Sequence, residues 1–374
     1  MKPIITSLSI ERFRSLRKLK IDGLGMVNLI TGKNNTGKSS VLEALRILGS
    51  DAWPSVLGSI LRYREEDSGE GEVAGRTVEV GNLNQFCSLF TGFPQISENK
   101  EVIELAANGG QRLMRWNISV GFFGEQREQD GTRRLVPPQS GIVSEGDLIP
   151  ALVMESLVTK RILPMAYLWQ IAHGRIYTPQ IGEEPRLPCV FVSPYGGERT
   201  ANLGVLWDKI ALSDREKEVV EALKIIAPDV EAVSMIGGEA QRQMRTAIVR
   251  SSQFKRPVPL RSFGDGLNRL FGIVLSLANA KDGFLLIDEF ENGMHHTVQL
   301  DVWRAIFRLS KLLNVQVFAT SHSWDAVETF QKAAAENPEE GLLIRLSRKG
   351  EDVIPTLFRE DELAIATREH IEVR

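Results

Sequence analysis

Hydrophobic and polar positions in the first thirty residues follow a β-type pattern, and helical spacing replaces it soon after. Residues 4–10 and 26–31 read as strands, and "IERFRSLRKLKIDGLGMVNLITG" predicts a hairpin or meander ending at a glycine loop. Helical spacing starts at Lys38 and runs to about Leu48, where Gly49 stops it. Residues 62–76 are acidic and glycine-rich and predict an exposed loop, and residues 77–90 fit a strand or a helix. Alternation returns over 100–124 on both sides of "NGG", a hairpin signal. The polar stretch 125–146, with Pro137 and Pro138, reads as loop.

Farther along, "PCVFVSP" at 188–194 has the continuous apolar run of a buried strand. Residues 202–230 predict two helices with Ser213 as a cap. "AVSMIGGE" and "RTAIVRSS" predict another hairpin. The last third alternates cleanly: helix around 265–280, strand 283–288, helix 296–312, strand 314–320, helix 323–335, strand 341–346. That order builds a parallel sheet. No internal repeat and no long heptad run is present.

Composition narrows the class. The 374 residues allow two domains or one large domain with insertions. Hydrophobic residues make up 43% and charged residues 25%, with a net charge of -3, so no global field draws the chain to nucleic acid or acidic lipid. Cys87 and Cys189 fit neither a zinc spacing nor a disulfide framework, and a reducing cytoplasm is the expected setting. The N-terminus lacks the apolar segment of a signal peptide. The run from Leu270 to Ala280 is too short to cross a bilayer, so no membrane partner is expected.

Candidate chemistry concentrates at three strand ends. Gly32, Gly37, Lys38 and Ser39 satisfy G-x-x-x-x-G-K-[ST] between a strand and a helix. The glycines let backbone N–H groups face inward at a helix N-terminus, where they hold an anion. Lys38 reaches the outer phosphates and Ser39 offers a hydroxyl to Mg²⁺. A polar strand-to-helix turn is the plain alternative. "GFLLIDEFENGMHH" puts Asp288 and Glu289 at the end of an apolar strand, placed for metal binding and for work on an attacking water. "VFATSHSWD" puts Thr320, Ser321 and His322 past another apolar strand, where a histidine can sense the γ-phosphate. His295 and His296 point about 100° apart on a helix, which favours a capping or surface role over metal binding.

Taken in order, "GKNNTGKS", "LRSFGDGLNRLFGIVLSLA", "LLIDEFENGMHH" and "ATSHS" resemble the ABC-type ATPases of the SMC/RecF/OLD group, most of all the stand-alone AAA-15-like ATPases related to phage OLD proteins. The resemblance covers the first 50 residues and roughly 188–346. It implies an α/β fold, a P-loop NTPase of ABC-ATPase type. The core would be a mixed or parallel sheet, with an N-terminal antiparallel β-lobe and a helical/β insertion. The expected division is 1–124 for the N-terminal lobe, 125–187 for the insertion, possibly helical, and 188–374 for the C-terminal lobe. ATP and Mg²⁺ are the implied cofactors. Gly32, Asn34, Asn35, Thr36, Gly37, Lys38, Ser39 and Ser40 would cradle the nucleotide, and Ser39, Asp288 and Gln85 would serve the metal, Gln85 as the Q-loop residue. Glu289 would be the general base, with His322 as switch histidine and Lys38 as the third catalytic group. "ENGMH" resembles the D-loop. "SFGDG" resembles the signature loop, so Ser262, Gly264 and Gly266 would complete the site of an opposite subunit. "ERFRSLRKL" resembles the opening of RecF-like proteins, which puts Arg12 or Arg14 near the nucleotide.

Departures from the pattern carry information too. Asp265 and Gly266 replace the last two residues of a transporter's "SGGQ", and the interval from Ser39 to Ser262 holds no heptads for an SMC-type arm. The stretch after His322 is too short for the TOPRIM domain of OLD nucleases and shows no acidic pair at a strand end. The expected partners are therefore a second copy of the chain, as an ATP-dependent homodimer or higher oligomer, and a separate effector such as a TOPRIM-type nuclease in phage defence. A RecF-like repair ATPase is the alternative. It draws on six basic residues in 241–261: Arg242, Arg245, Arg250, Lys255, Arg256 and Arg261. A solvated hairpin face would explain these as well. A nucleotide sensor that does not turn over is the third class.

Overall fold

The computed structural model describes residues 2–64, 86–110, 112–127, 133–138, 148–172, 187–194, 200–225, 227–237, 245–369 and 371–374. The first half runs β1 (Ser7–Phe13), β2 (Leu16–Asp22), β3 (Val27–Gly32), α1 (Lys38–Gly49), α2 (Pro54–Tyr63), β4 (Ile103–Asn108), β5 (Leu113–Arg127), β6 (Arg133–Val136), β7 (Ile149–Glu155), β8 (Lys160–Pro164) and α3 (Met165–Ala172). The second half runs β9 (Cys189–Val192), α4 (Thr200–Asp208), α5 (Asp214–Leu223), β10 (Val230–Ile236), β11 (Thr246–Ser251), β12 (Val258–Pro259), α6 (Asp265–Asn279), β13 (Phe284–Ile287), α7 (His296–Leu313), β14 (Gln316–Thr320), α8 (Trp324–Ala335), β15 (Gly341–Lys349), β16 (Asp352–Phe358) and α9 (Glu360–Arg368).

The βα alternation of the last third builds the core sheet, in the order β16-β15-β3-β14-β13-β9. All neighbours are parallel except β16 on β15. All six residues of β3 are buried, as expected of a parallel strand covered on both faces. Period-two alternation divides the sheet's side chains between two cores. Ile30, Leu286, Phe318 and Ile344 pack on the α1 side. Leu29, Ile287, Val317 and Leu343 pack on the α6–α8 side, where Phe290 stacks on Trp303 with ring centroids 3.9 Å apart.

A second sheet is antiparallel, ordered β2-β1-β4-β5-β7-β8 with β6 on the far end of β5. Helix α1 lies between the two sheets and touches strands of both. Its buried apolar residues, among them Val41, Leu42, Leu45 and Leu48, belong to the same core as Leu8 and Ile10 of β1. This is what fixes the glycine loop at the N-terminus of α1 in space. Buried Gln316 ties the sheets together, donating to Ile5 O and Gly25 O at 2.8 Å and accepting from Ile5 N–H at 2.9 Å. A third sheet, β10-β11-β12, carries the expected 230s–240s hairpin.

Four local expectations need correction. The 125–146 stretch is not simply loop, because β5 continues to Arg127 and β6 follows. The described part of 125–187 is mostly strand, with α3 as its one helix. The strand expected as buried, β9, lies at the sheet edge, and Val192 is its only fully buried residue. Ser213 does stand at the start of α5, but its hydroxyl makes no cap bond and instead donates to Ile210 O at 2.5 Å.

Candidate active site

The sheet order sets the site. β14 lies between β3 and β13, so the C-terminal ends of all three open onto one crevice. The glycine loop follows β3, Asp288 follows β13, and Ser321 and His322 follow β14.

Both motif glycines are required by the backbone. Gly32 has φ +142°, and a Cβ there would lie 2.5 Å from Leu346 O. Gly37 has φ +88°, and its Cβ would lie 2.6 Å from Leu16 Cδ2. Asn35 takes φ 66°, a left-handed value that asparagine tolerates. Thr36 Oγ1 donates to Lys33 O at 2.8 Å and closes the turn. Gly37 caps α1 without a side-chain bond, which leaves the first amides of the helix to an anion. Lys38 Nζ donates to Gly32 O at 2.6 Å and Lys33 O at 3.2 Å. Burial lowers the pKa of this lysine, while Asp288, Glu291 and Glu289 push it back up.

The acidic residues are held by β14. Thr320 Oγ1 donates to Asp288 Oδ1 at 2.6 Å and accepts from Glu289 N–H at 2.9 Å. Ser39 Oγ donates to the same Asp288 oxygen at 3.3 Å. Adjacent oxygens on an octahedral Mg²⁺ lie about 3 Å apart, so this pair suits two neighbouring ligand positions. Glu289 has φ 49°, a strained left-handed conformation for a glutamate. The next residue anchors the loop: Phe290 N–H donates to Thr320 O at 2.9 Å and its ring enters the core. Asn292 donates to Glu289 Oε2 at 2.6 Å. His322 stands over Glu291, with backbone N–H 3.0 Å and ring Nδ1 3.1 Å from Glu291 Oε1.

Asn34, Asn35, Thr36, Gly37, Lys38, Ser39 and Ser40 line one cavity of about 380 Å³ with Asp288, Glu289, Thr320 and His322. Ser15, Asn35, Ser40 and Arg64 also border a second cavity of about 360 Å³, which includes Arg14 and Phe93. Of the two early arginines, Arg14 reaches this extension, while Arg12 is held by Glu104 and Val102 O on the antiparallel sheet. Arg14 is buried, with Nε 2.5 Å from Glu43 of α1.

Other expected residues lie elsewhere. Ser262, Gly264 and Gly266 sit at the start of α6 and do not border the cavity; Ser262 and Gly264 are exposed. Gly264 has φ 98°, so its conformation selects glycine. Gln85 and Arg242 fall outside the described residues. Two of the six basic residues at 241–261 have acidic partners: Arg245 with Asp208 at 2.6 Å and Arg250 with Glu231 at 3.1 Å. His295 caps α7, its Nδ1 accepting from Thr297 N–H at 3.4 Å. Sequence reasoning missed Asn292 and Arg269. Each is a polar residue within a motif region, and only the fold shows what it touches.

Fold and cavity define a P-loop nucleotide-binding protein of α/β type. A family model described as "AAA domain, putative AbiEii toxin, Type IV TA system" matches residues 197–327, and one described as "AAA ATPase domain" matches 1–85. An "ATP/GTP phosphatase" of Helicobacter pylori is 25% identical over 400 residues, 96% of this chain and 97% of that protein. An uncharacterised protein of Methanocaldococcus jannaschii is 35% identical over 95 residues, 25% of this chain and 82% of that one. Similar solved structures include an SMC head bound to the C-winged helix domain of ScpA, at 13% identity and TM-score 0.46, covering 96% of this chain and 99% of that one. The SMC head domain from Thermotoga maritima has 12% identity and TM-score 0.44, covering 96% and 100%. Two separate stretches of the chain thus match ATPase domain models of the AAA type, and the full-length relative is a nucleotide phosphatase, in line with the ABC-type ATPase resemblance of its motifs. Among the described residues no helix is long and apolar enough to cross a membrane.

Proposed function

We propose that this ATPase closes as a homodimer around two ATP molecules and uses hydrolysis to release a separate effector protein. The observation that carries this reading is the split of the site. The P-loop, Asp288, Glu289 and His322 share one cavity, while Ser262 and Gly264 lie exposed elsewhere on the same chain. A second subunit would bring its signature turn, with the free amides at the start of α6, onto the γ-phosphate.

In this reading the loop amides and Lys38 bind the phosphates. Ser39 and Asp288 would hold Mg²⁺, whose charge would offset that of the phosphates. Glu289 accepts the proton of the attacking water, and its bond from Asn292 aims the carboxylate. His322, fixed by Glu291, meets the γ-phosphate. Because only the ATP state bridges two subunits, hydrolysis shifts the population from closed to open. We place the effector in phage defence, as a TOPRIM-type nuclease, by analogy with OLD-related systems, and the chain in the cytoplasm. GTP is a second candidate substrate, following the relative's description.

The RecF-like DNA-binding alternative rests on Lys255, Arg256 and Arg261, which are exposed beside the signature turn. It has fewer free charges than the sequence offered, since Arg245 and Arg250 are paired. The deciding experiment measures mass by sedimentation and turnover on wild type and Glu289→Gln, with and without ATP. A Glu289→Gln dimer that forms only with ATP supports the proposal. An assembly indifferent to ATP argues against it, and salt-dependent DNA binding would move the choice to the alternative.

A further inference from the structure

Three consecutive carbonyls at the end of β9 are taken by three different parts of the site. Val192 O accepts from Asp288 N–H at 2.9 Å. Ser193 O accepts from Arg269 Nη1 at 3.0 Å. Pro194 O accepts from Asn292 Nδ2 at 3.1 Å. The same Asn292 nitrogen donates to Glu289 Oε2 at 2.6 Å. Both acceptors of Asn292 are oxygens, so the amide can present only its nitrogen to them, and both of its hydrogens are used.

Arg269 lies on α6, the helix that starts at the signature turn, and is 3% exposed. Its Nε and Nη2 find no partner among the described residues. Among the described residues the guanidinium has no direct ion pair. Burial lowers its pKa, Glu291, Asp288 and Glu289 oppose the shift, and the balance is about 10, so it stays cationic at neutral pH and faces the acidic cluster through a protein interior. A shift of α6 moves Arg269, and with it the strand end that also holds Asn292.

We propose that Arg269 and Asn292 are positioning residues that join the signature helix to Glu289 through the Val192–Pro194 carbonyls, so that engagement of a subunit's signature turn aligns the general base in that subunit's own nucleotide site. The inference rests on the dimeric ATPase reading above. It makes the two sites of a dimer interdependent: each signature turn serves the opposite ATP, and through this link each also readies its own base. Glu289 suits such control because its carboxylate is held by the Asn292 side chain.

The test uses full-length protein, with steady-state ATP turnover and separate binding of a non-hydrolysable ATP analogue. Wild type is expected to respond sigmoidally to ATP. Asn292→Ala is expected to lower kcat roughly 10–100-fold, with half-saturation moved less than about threefold. Its Hill coefficient should fall to about 1. Arg269→Lys is expected to lower kcat and the Hill coefficient in the same direction. The double variant is expected to be no slower than Asn292→Ala, because both act along one connection. A hyperbolic wild type, an unchanged kcat in Asn292→Ala, or losses that multiply in the double variant would overturn the inference. If Arg269→Lys does not fold, Asn292→Ala decides alone: an unaltered Hill coefficient sinks the coupling. A wild type without turnover sinks the ATPase proposal itself, a result distinct from turnover that ignores Asn292.

Discussion

Thr320 is where the residues of the site depend most on one another. Its hydroxyl donates to Asp288 and accepts from Glu289 N–H, so one side chain fixes both acids. Thr320→Val keeps the shape and β-propensity of the strand but removes both bonds. Asp288 is buried and loses the shorter of its two hydroxyl hydrogen bonds. Thermal or urea unfolding should show a loss of about 1–3 kcal/mol, and kcat should drop more than ATP affinity does. Glu289→Gln isolates the chemistry instead. It should cut kcat by roughly 10²–10⁴ while ATP-analogue binding, read by calorimetry, stays near wild type. Gly32→Ala tests the backbone: a side chain at φ +142°, 2.5 Å from Leu346 O, should cost about 1–3 kcal/mol on denaturant unfolding and abolish ATP binding. The residue types at these positions were legible in the sequence, because the phosphate motif and the acidic strand end state their chemistry in order. The bonds of Thr320, Asn292 and Arg269 were not, since each joins segments far apart in sequence and depends on which strands are neighbours.

At the scale of elements, legibility followed the strength of the local signal. The last third announced itself because parallel strands buried on both faces read as short apolar runs between amphipathic helices. The 149–164 hairpin was hidden for the opposite reason. "IPALVME" is rich in alanine, leucine, methionine and glutamate, all good helix formers, and its "SLVT" turn lacks the glycine or asparagine that marks a hairpin. Neighbouring β5 settles the matter, pairing with β7 from Asn117 to Phe123. The ion pair beneath the glycine loop was equally invisible. Glu43 of α1 is 3% exposed in its side chain and lies 2.5 Å from Arg14 and 2.7 Å from Arg64. Removing it takes the carboxylate from buried Arg14, so Glu43→Leu should destabilise by about 3–5 kcal/mol in urea unfolding. Arg14→Met combined with Glu43→Leu should recover part of that loss. If the double variant were no more stable than Glu43→Leu, uncompensated charge would not be the cause.

For the whole molecule, the proposed homodimer can be tested by complementation, because the turn at Ser262 does not border its own chain's P-loop cavity. Lys38→Ala removes the phosphate lysine, and Ser262→Arg obstructs the exposed turn that would meet the partner's ATP. Each homodimer then carries two defective composite sites and should be inactive. Ser262→Arg alone should still bind ATP, because Ser262 does not border its own chain's cavity. In a mixture, the heterodimer has one site built from an intact P-loop and an intact signature turn. With random pairing, turnover should return to about a quarter of the wild-type rate per chain. A coupling of the two sites lowers that figure, because the subunit with the intact P-loop carries the obstructed turn, and its own Glu289 would go unaligned. Restored turnover well below a quarter, and not lowered further when Asn292 is also replaced in the subunit with the intact P-loop, would be the signature of that coupling. No recovery at any mixing ratio, with both variants folded and Ser262→Arg still binding ATP, would mean that the chain completes its site without a second copy.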